Sequence, residues 1–244
     1  MTRQLSIAAC IPILAICACT SAFADVMSFE PGDPYLLRTG GNGVSTQDCT
    51  VAHSGSCSAK LYLPDYGADN AAAGIAWSGS LGSTNSSVWA LVPSSSPQLF
   101  PYLDYYVDSN QNGIIEATDA LVILDESPIF TAGTWQFEVL DGNSLVHVAN
   151  DRLGLAADAF TPGNPGTLDA LRATSIGGGK TWGDLIVMRA RAEAGHWGTA
   201  PEPSYTAWVD DLSVSSVPEP GAIVLLGTVL AIMAATGRRK LFRR

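Results

Sequence analysis

Between residues 25 and 216 the chain is a succession of short runs with strand character, several of which alternate apolar and polar residues: "VMSFE", "CSAKLYL", "GIAWSGS", "SVWALV", "LDYYV", "TWQFEVL", "SLVHVAN", "DLIVMRARAEA" and "AWVDDLSVSS". Clusters of Gly, Ser, Asn and Pro, such as "TGGNG", "PDYGADN", "SGSLGSTNSS" and "SIGGG", separate them. Strand side chains point alternately to the two faces, so period two with frequent turns predicts an all-β, antiparallel sandwich. In "SAKLYLP" the residues Ala59, Leu61 and Leu63 share a face; in "TWQFEVL" Trp135, Phe137 and Val139 share one, opposite Gln136 and Glu138. Trp77, Trp89, Trp135 and Trp208 lie in such runs and are expected in the core. Only "EATDALVIL" and "TLDALRA" read as helices, both short. No internal repeat is visible.

The two ends break this pattern. At the start, Arg3 precedes an apolar run from Leu5 to Cys19, and the small residues Ala22 and Ala24 flank Phe23. That order predicts a secretory signal peptide over 1–24, cut after Ala24. An alternative cut is a lipoprotein-type one at Cys19. At the other end, residues 221–237 carry no charge and would span about 25 Å as a helix. The run predicts a transmembrane helix slightly short of a typical hydrocarbon core. The basic tail 238–244 would stay on the cytoplasmic side, leaving residues 25–216 outside. Pro218 and Pro220 keep the approach to the helix extended.

The order Pro218-Glu219-Pro220, apolar helix, basic tail resembles the PEP-CTERM sorting signal. That resemblance implies an exosortase as processing partner, a helix only transiently in the membrane, and delivery to the cell surface or extracellular matrix, where exopolysaccharide is the expected neighbour. The alternative is a plain single-pass anchor.

Composition narrows what the exported part does. Residues 25–216 hold 22 acidic and seven basic residues, a net charge of −15. Such a surface repels nucleic acid and favours divalent cations. The length suits one domain. Of five cysteines only Cys49 and Cys57 remain after the signal, and a pair in an exported chain predicts a disulfide across a hairpin turned at Ser54-Gly55. Two free thiols are the alternative.

"VMSFEPGD", "HSGSCSAKLYL" and "AWVDDLSV" resemble the jelly-roll sandwiches of carbohydrate-binding modules and related galactose-binding-like domains. The resemblance implies a jelly-roll β-sandwich with first and last strands side by side. It also implies a structural calcium ion at Glu30 and Asp211, with Asp210 as alternative to the latter.

The sharpest chemical motif is "DSNQNGIIEATD", residues 108–119. Ca²⁺ takes six to eight oxygen ligands on a tight curve. Asp108, Asn110 and Asn112 offer side-chain oxygens at positions 1, 3 and 5, Ile114 its carbonyl at 7, Glu116 a water-mediated ligand at 9, and Asp119 a carboxylate at 12. Gly113 permits the bend. The loop resembles those of dockerins, although it stands alone and follows a strand; strand, loop, short helix is the expected setting. The competing reading is a β-hairpin turning tightly at Asn112-Gly113.

Catalytic signatures are absent. His53, His147 and His196 lie in unrelated contexts, and there is no G-x-S-x-G, H-E-x-x-H or phosphate loop. Acidic pairs such as Asp125-Glu126 and Asp210-Asp211 are what so acidic a chain supplies by chance. A non-enzymatic surface or matrix protein is therefore expected, the alternative being a carbohydrate-binding module with a defined glycan. Trp182 and Trp197, beside glycine-rich turns, are the candidate glycan contacts, or else pack at the sandwich rim. The sorting reading makes its own prediction: intact mass of the surface form should lack 1–24 and the C-terminal helix, whereas a species retaining Arg244 would mark a plain anchor.

Overall fold

A computed structural model describes residues 25–216 except 28, 94–99, 126–130, 151–152, 154, 156–158 and 196–202. The signal segment, Pro218, Glu219, Pro220, the segments 221–237 and 238–244, and Trp197 lie outside the described residues. Among those described, no helix is long and apolar enough to cross a membrane.

Among the described residues fifteen strands follow one another: β1 Asp25–Met27, β2 Tyr35–Gly40, β3 Val44–Asp48, β4 Ser58–Leu63, β5 Asn70–Ser80, β6 Thr84–Leu91, β7 Tyr102–Val107, β8 Ala120–Leu124, β9 Gln136–Leu140, β10 Leu145–Ala149, β11 Gly166–Thr167, β12 Ser175–Gly177, β13 Lys180–Thr181, β14 Ile186–Gly195 and β15 Tyr205–Ser216. One six-stranded sheet has the order β3-β4-β15-β6-β9, with β1 also on β15; a seven-stranded sheet runs β11-β10-β8-β7-β14-β5-β2. All pairings are antiparallel, and first and last strands do lie side by side, Asp25 opposite Val214 and Met27 opposite Leu212. The core fills the space between the sheets: Ala59, Leu61, Leu63, Val88 and Ala90 from one, Ala73, Leu103, Tyr105, Val122 and Ala192 from the other. The Cys49–Cys57 disulfide is present. It closes the β3–β4 hairpin just beyond its last pair, Asp48 opposite Ser58.

"TLDALRA" forms helix α1, Leu168–Ala173, capped by Thr167 and burying Leu168 and Leu171. Its Arg172 reaches across to the β5–β6 turn, donating from Nε to Leu81 O (2.8 Å) and from Nη2 to Asn85 Oδ1 (3.0 Å). "EATDALVIL" does not form a helix: Ala120, Val122 and Leu124 are buried on one side of β8, and pairing between β7 and β10 decides for the period-two alternative.

Two assignments of facing are reversed. In β9 the alternation is as read, but Glu138 and Leu140 point inward while Phe137 and Val139 are 51 % and 37 % exposed. The register on β6 decides this: Glu138 lies opposite Val88 and Phe137 opposite Trp89. Directly opposed residues share a face, so the inward Val88 carries Glu138 with it. Likewise Trp182, placed by sequence in an exposed loop, is the largest fully buried side chain among the described residues. It opens a 3₁₀ turn, Trp182–Asp184, whose first N–H donates to Thr174 O at the end of α1 (2.9 Å), and the ring enters the core. Trp77 packs partly buried on the core, whereas Trp89 and Trp208 lie half-buried on the outer side of the six-stranded sheet.

Trp182→Ala should therefore cost about 3–5 kcal/mol in urea unfolding, and Phe137→Ala no more than about 0.5 kcal/mol. Equal losses would mean that the facing described here is wrong.

Candidate ligand-binding face and calcium loop

Strand β14 sits in the middle of the seven-stranded sheet between β7 and β5. Its even-numbered alanines Ala190, Ala192 and Ala194 face the core. Arg189, Arg191 and Glu193 therefore face outward. The same alternation in β7 buries Leu103, Tyr105 and Val107 and turns Tyr102, Asp104 and Tyr106 outward. Register brings the two sets together, with Arg191 opposite Asp104, Arg189 opposite Tyr106 and Glu193 opposite Tyr102. On the other flank β14 meets only small residues on this face, Ala72, Gly74 and Ala76. A Cβ on Gly74 would stand 2.4 Å from Ala190 O and 2.7 Å from Arg191 Cγ, so glycine is what lets the arginine stem lie flat there. The result is a trough floored by small side chains and walled by tyrosines and arginines.

Although this side looks away from the core, Asp104, Arg191 and Glu193 are only 0 %, 3 % and 3 % exposed. Arg191 binds Asp104 in bidentate fashion, Nε to Oδ1 at 2.7 Å and Nη2 to Oδ2 at 2.6 Å, and is also ion-paired with Glu193. Burial works against the guanidinium charge, but Asp104 outweighs it and holds Arg191 above its ordinary value. Burial first, then the Asp104 charge, raises the Glu193 carboxyl to about 8, against the opposing pull of Arg191. Across the trough, Arg38 Nη1 donates to Tyr106 OH (2.9 Å). The guanidinium carbons of Arg191, Arg38 and Arg189 lie 4.5, 5.5 and 5.7 Å from the Tyr106 ring centroid. Sequence reading missed this face. The available signal was "MRARAEA", charge recurring every second residue inside an otherwise alanine strand.

The outer side of the six-stranded sheet is of a different kind. His53 stacks on Trp89 at 4.1 Å between centroids, Trp135 meets His53 edge-on at 5.4 Å, and Phe137 lies 5.2 Å from Trp89. A groove of about 220 Å³ runs beside Phe137 and Val139, lined by Asn85, Ser87, Asp141, Ser213 and Ser215. Trp182, buried, is no glycan contact; the surface aromatics of this sheet include Phe137 with the half-buried rings around it, and Tyr62.

The loop 108–119 joins β7 to β8, closed at its neck by the pair Val107–Ala120. It is followed by a strand, not the short helix expected from sequence, and the hairpin turns through the whole loop and not tightly at Asn112-Gly113. The buried Asp108 and Asp119 are the first and last residues of the loop, each next to this neck. Asp108 accepts from Asn112 N (3.1 Å) and Gly113 N (2.8 Å), Asn110 Oδ1 from Asn112 N (3.0 Å), Asn112 Oδ1 from Ile114 N (2.7 Å), and Asp119 Oδ2 from Glu116 N (2.8 Å). Glu116 Oε2 also receives Asn110 Nδ2 (2.8 Å). These oxygens thus wind around one short loop, with Gly113 at φ 74°.

Glu30 and Asp211 are both drawn to the disulfide loop. Glu30 accepts from Ser56 N, from Ser56 Oγ (2.5 Å) and from Cys57 N (3.3 Å). Asp211 pairs with His53 Nδ1 (2.7 Å) and Ser54 Oγ, while the buried Asp210 takes His53 N (2.8 Å) and Ser54 N (3.1 Å). Two consecutive aspartates reach one loop because β15 carries a bulge there, with Asp211 at φ 49°. Among the described residues no group of three or more His, Cys, Asp or Glu side chains stands ready for a metal. Any ion in the 108–119 loop would draw on Asn110, Asn112 and the Ile114 carbonyl as well.

No family model matches the chain, and no curated protein matches it. Solved structures do. A family 11 carbohydrate-binding module of the cellulase Lic26A-Cel5E of Clostridium thermocellum is 9 % identical over 81 % of this chain and 97 % of its own, with a TM-score of 0.47. The CBM22-2 xylan-binding domain of Paenibacillus barcinonensis Xyn10C is 12 % identical over 81 % and 100 %, also at 0.47. An endo-β-1,4-glucuronan lyase of the fungus Trichoderma reesei is 13 % identical over 79 % and 94 %, at 0.44. Similarity this low decides neither ligand nor activity.

Glu193 sets a pH dependence. Unfolded, its carboxyl releases its proton near 4.5; folded, near 8. Between the two the folded chain holds a proton the unfolded chain has lost, so stability falls as pH rises through that window and levels off above it. Urea midpoints at about pH 5 and about pH 8 should differ for the native chain, and Glu193→Gln should remove most of the difference. An unchanged slope in the variant would assign the dependence elsewhere.

Proposed function

We propose that this protein is a non-catalytic polysaccharide-binding module of jelly-roll type that works at the cell surface or in the extracellular matrix. The outer face of its seven-stranded sheet is the binding surface. The observation that carries this is the row of Tyr102, Tyr106 and Arg38 beside the small residues Ala72, Gly74 and Ala76, backed by the buried Asp104–Arg191 pair. Sugars are held by ring faces against their C–H surfaces and by fixed donors and acceptors at their hydroxyls. Here both are supplied from rigid strands, with side chains already locked by the Asp104–Arg191 pair. The two carboxylates of the face are tied to that same guanidinium, which favours binding over acid–base chemistry.

Delivery in this reading runs through the signal peptide and the PEP-CTERM-like tail, with an exosortase as the processing partner and a transient membrane stage. Calcium fits as a structural ion at Asp108, Asn110, Asn112, Ile114, Glu116 and Asp119, where the ladder neck and the inward-turned oxygens support it. When bound it would bridge the two ends of the β7–β8 connection. Glu30 and Asp211 remain a second candidate pair, each already satisfied by loop donors.

Affinity electrophoresis against a panel of soluble polysaccharides tests the central reading. The native domain should be retarded by at least one of them, and Tyr106→Ala should lose at least about ten-fold in affinity, equivalent to about 1.4 kcal/mol. Retardation by none would overturn the reading. Calcium is tested by thermal melts. With a dissociation constant of roughly 10⁻⁴–10⁻³ M, about 10 mM Ca²⁺ should stabilise the domain by about 1.4–2.7 kcal/mol. Asp108→Ala should abolish the gain, and no shift in the native chain would leave the loop a simple connection.

A further inference from the structure

The charges around Tyr106 do not balance. Residues 25–216 contain only seven basic side chains against 22 acidic ones. Three of the seven, Arg38, Arg189 and Arg191, converge on one phenol ring. In a domain this acidic, spreading them among the carboxylates would be electrostatically favourable, and gathering them is not. Arg191 is fully engaged by Asp104 and Glu193. Arg38 and Arg189 form no ion pair among the described residues; Arg38 is exposed and held in place by the Tyr106 hydroxyl, and the buried Nε of Arg189 has no acceptor.

Resting on the polysaccharide-binding reading above, we propose that this face selects an anionic chain, whose carboxylate groups pair with the guanidinium groups of Arg189 and Arg38 while its sugar rings lie along Tyr106 and Tyr102. A guanidinium presents parallel N–H donors that match a carboxylate, and such charge-assisted pairs are stronger than hydrogen bonds between neutral groups. At Arg189 charge as well as hydrogen bonding is unmatched. Burial first, then the neighbouring Arg191 and Arg38 charges, holds Arg189 below its ordinary value, and an incoming anion relieves that opposition. Residues 25–216 as a whole carry a net charge of −15, so the rest of the surface repels a polyanion. An acidic chain is thereby directed to this trough, whereas a neutral glucan gains nothing from the two spare cations. The groove beside Phe137, which offers hydroxyls, an amide and a carboxylate and no cation, gives no such preference.

The test compares polymers that differ only in charge: polygalacturonate with its methyl ester, and alginate with its propylene glycol ester, at calcium levels too low for gelling. The native domain should bind at least one acid form about ten-fold more tightly than the matching ester, with an affinity that falls as salt is added. Arg189→Gln and, separately, the exposed Arg38→Gln should weaken binding of the acid form by a larger factor than binding of its ester, so that the preference falls while the native circular dichroism spectrum is kept. Lys60→Gln, which removes the same charge from the opposite sheet, should leave the preference intact. Equal or weaker binding of both acids relative to their esters overturns the charge selection but leaves polysaccharide binding standing. Loss of preference in Lys60→Gln as large as in Arg189→Gln overturns it too, since net charge would then be the cause. Failure to bind any of the four overturns it as well, and the neutral members of the wider panel then decide whether the binding face itself survives.

Discussion

The register of β14 between β7 and β5 is the constraint on which the rest depends. With Ala190, Ala192 and Ala194 turned inward, the centre of the sandwich closes over small side chains, and Arg189, Arg191 and Glu193 necessarily stand on the other side. A slip of one residue would drive two arginines and a glutamate into the core, which no pairing there could offset. The core's demand for alanines and the outer face's charge pattern are therefore one property of one strand. Asp104, delivered opposite Arg191 by the neighbouring strand, completes it.

Burying charge on an outer face is costly unless it is matched, and the match here is unequal. One guanidinium serves two carboxylates, and burial resolves the surplus by favouring the protonated form of Glu193. Two more guanidiniums then lie close by without carboxylates of their own. Local rigidity and an unfilled electrostatic demand thus occur within a few ångströms of the same tyrosine. The two outer faces divide the labour: the seven-stranded sheet concentrates charge, while the six-stranded sheet displays aromatic rings around Trp89 and Phe137 beside hydroxyls.

Loops are held to this frame by carboxylates. The segment 53–57 is held by Glu30 from near the chain's first strand and by Asp210 and Asp211 from its last. Those are the elements that pair in the six-stranded sheet, so closing the β1–β15 ladder and fixing the loop are coupled events. At the far side, the Val107–Ala120 pair gathers the ends of the 108–119 loop in the same manner.

Local pattern determined much of this protein. Strand-like runs between turn residues located nine of the principal strands, alternation the face shared by Ala59, Leu61 and Leu63, and local composition the short helix at "TLDALRA" and the cysteine pair across a hairpin, because each depends on neighbours within a few residues. Alternation cannot say which of two faces is the inner one when both carry apolar groups. Phe137 and Val139 therefore needed the pairing with β6, and Trp182 needed α1 above it, before inside and outside were decided. The proposed binding face was the least legible part. Arg38, Asp104, Tyr106 and Arg191 come from three separate strands, and only the antiparallel registers β7–β14–β5–β2 bring them around one trough.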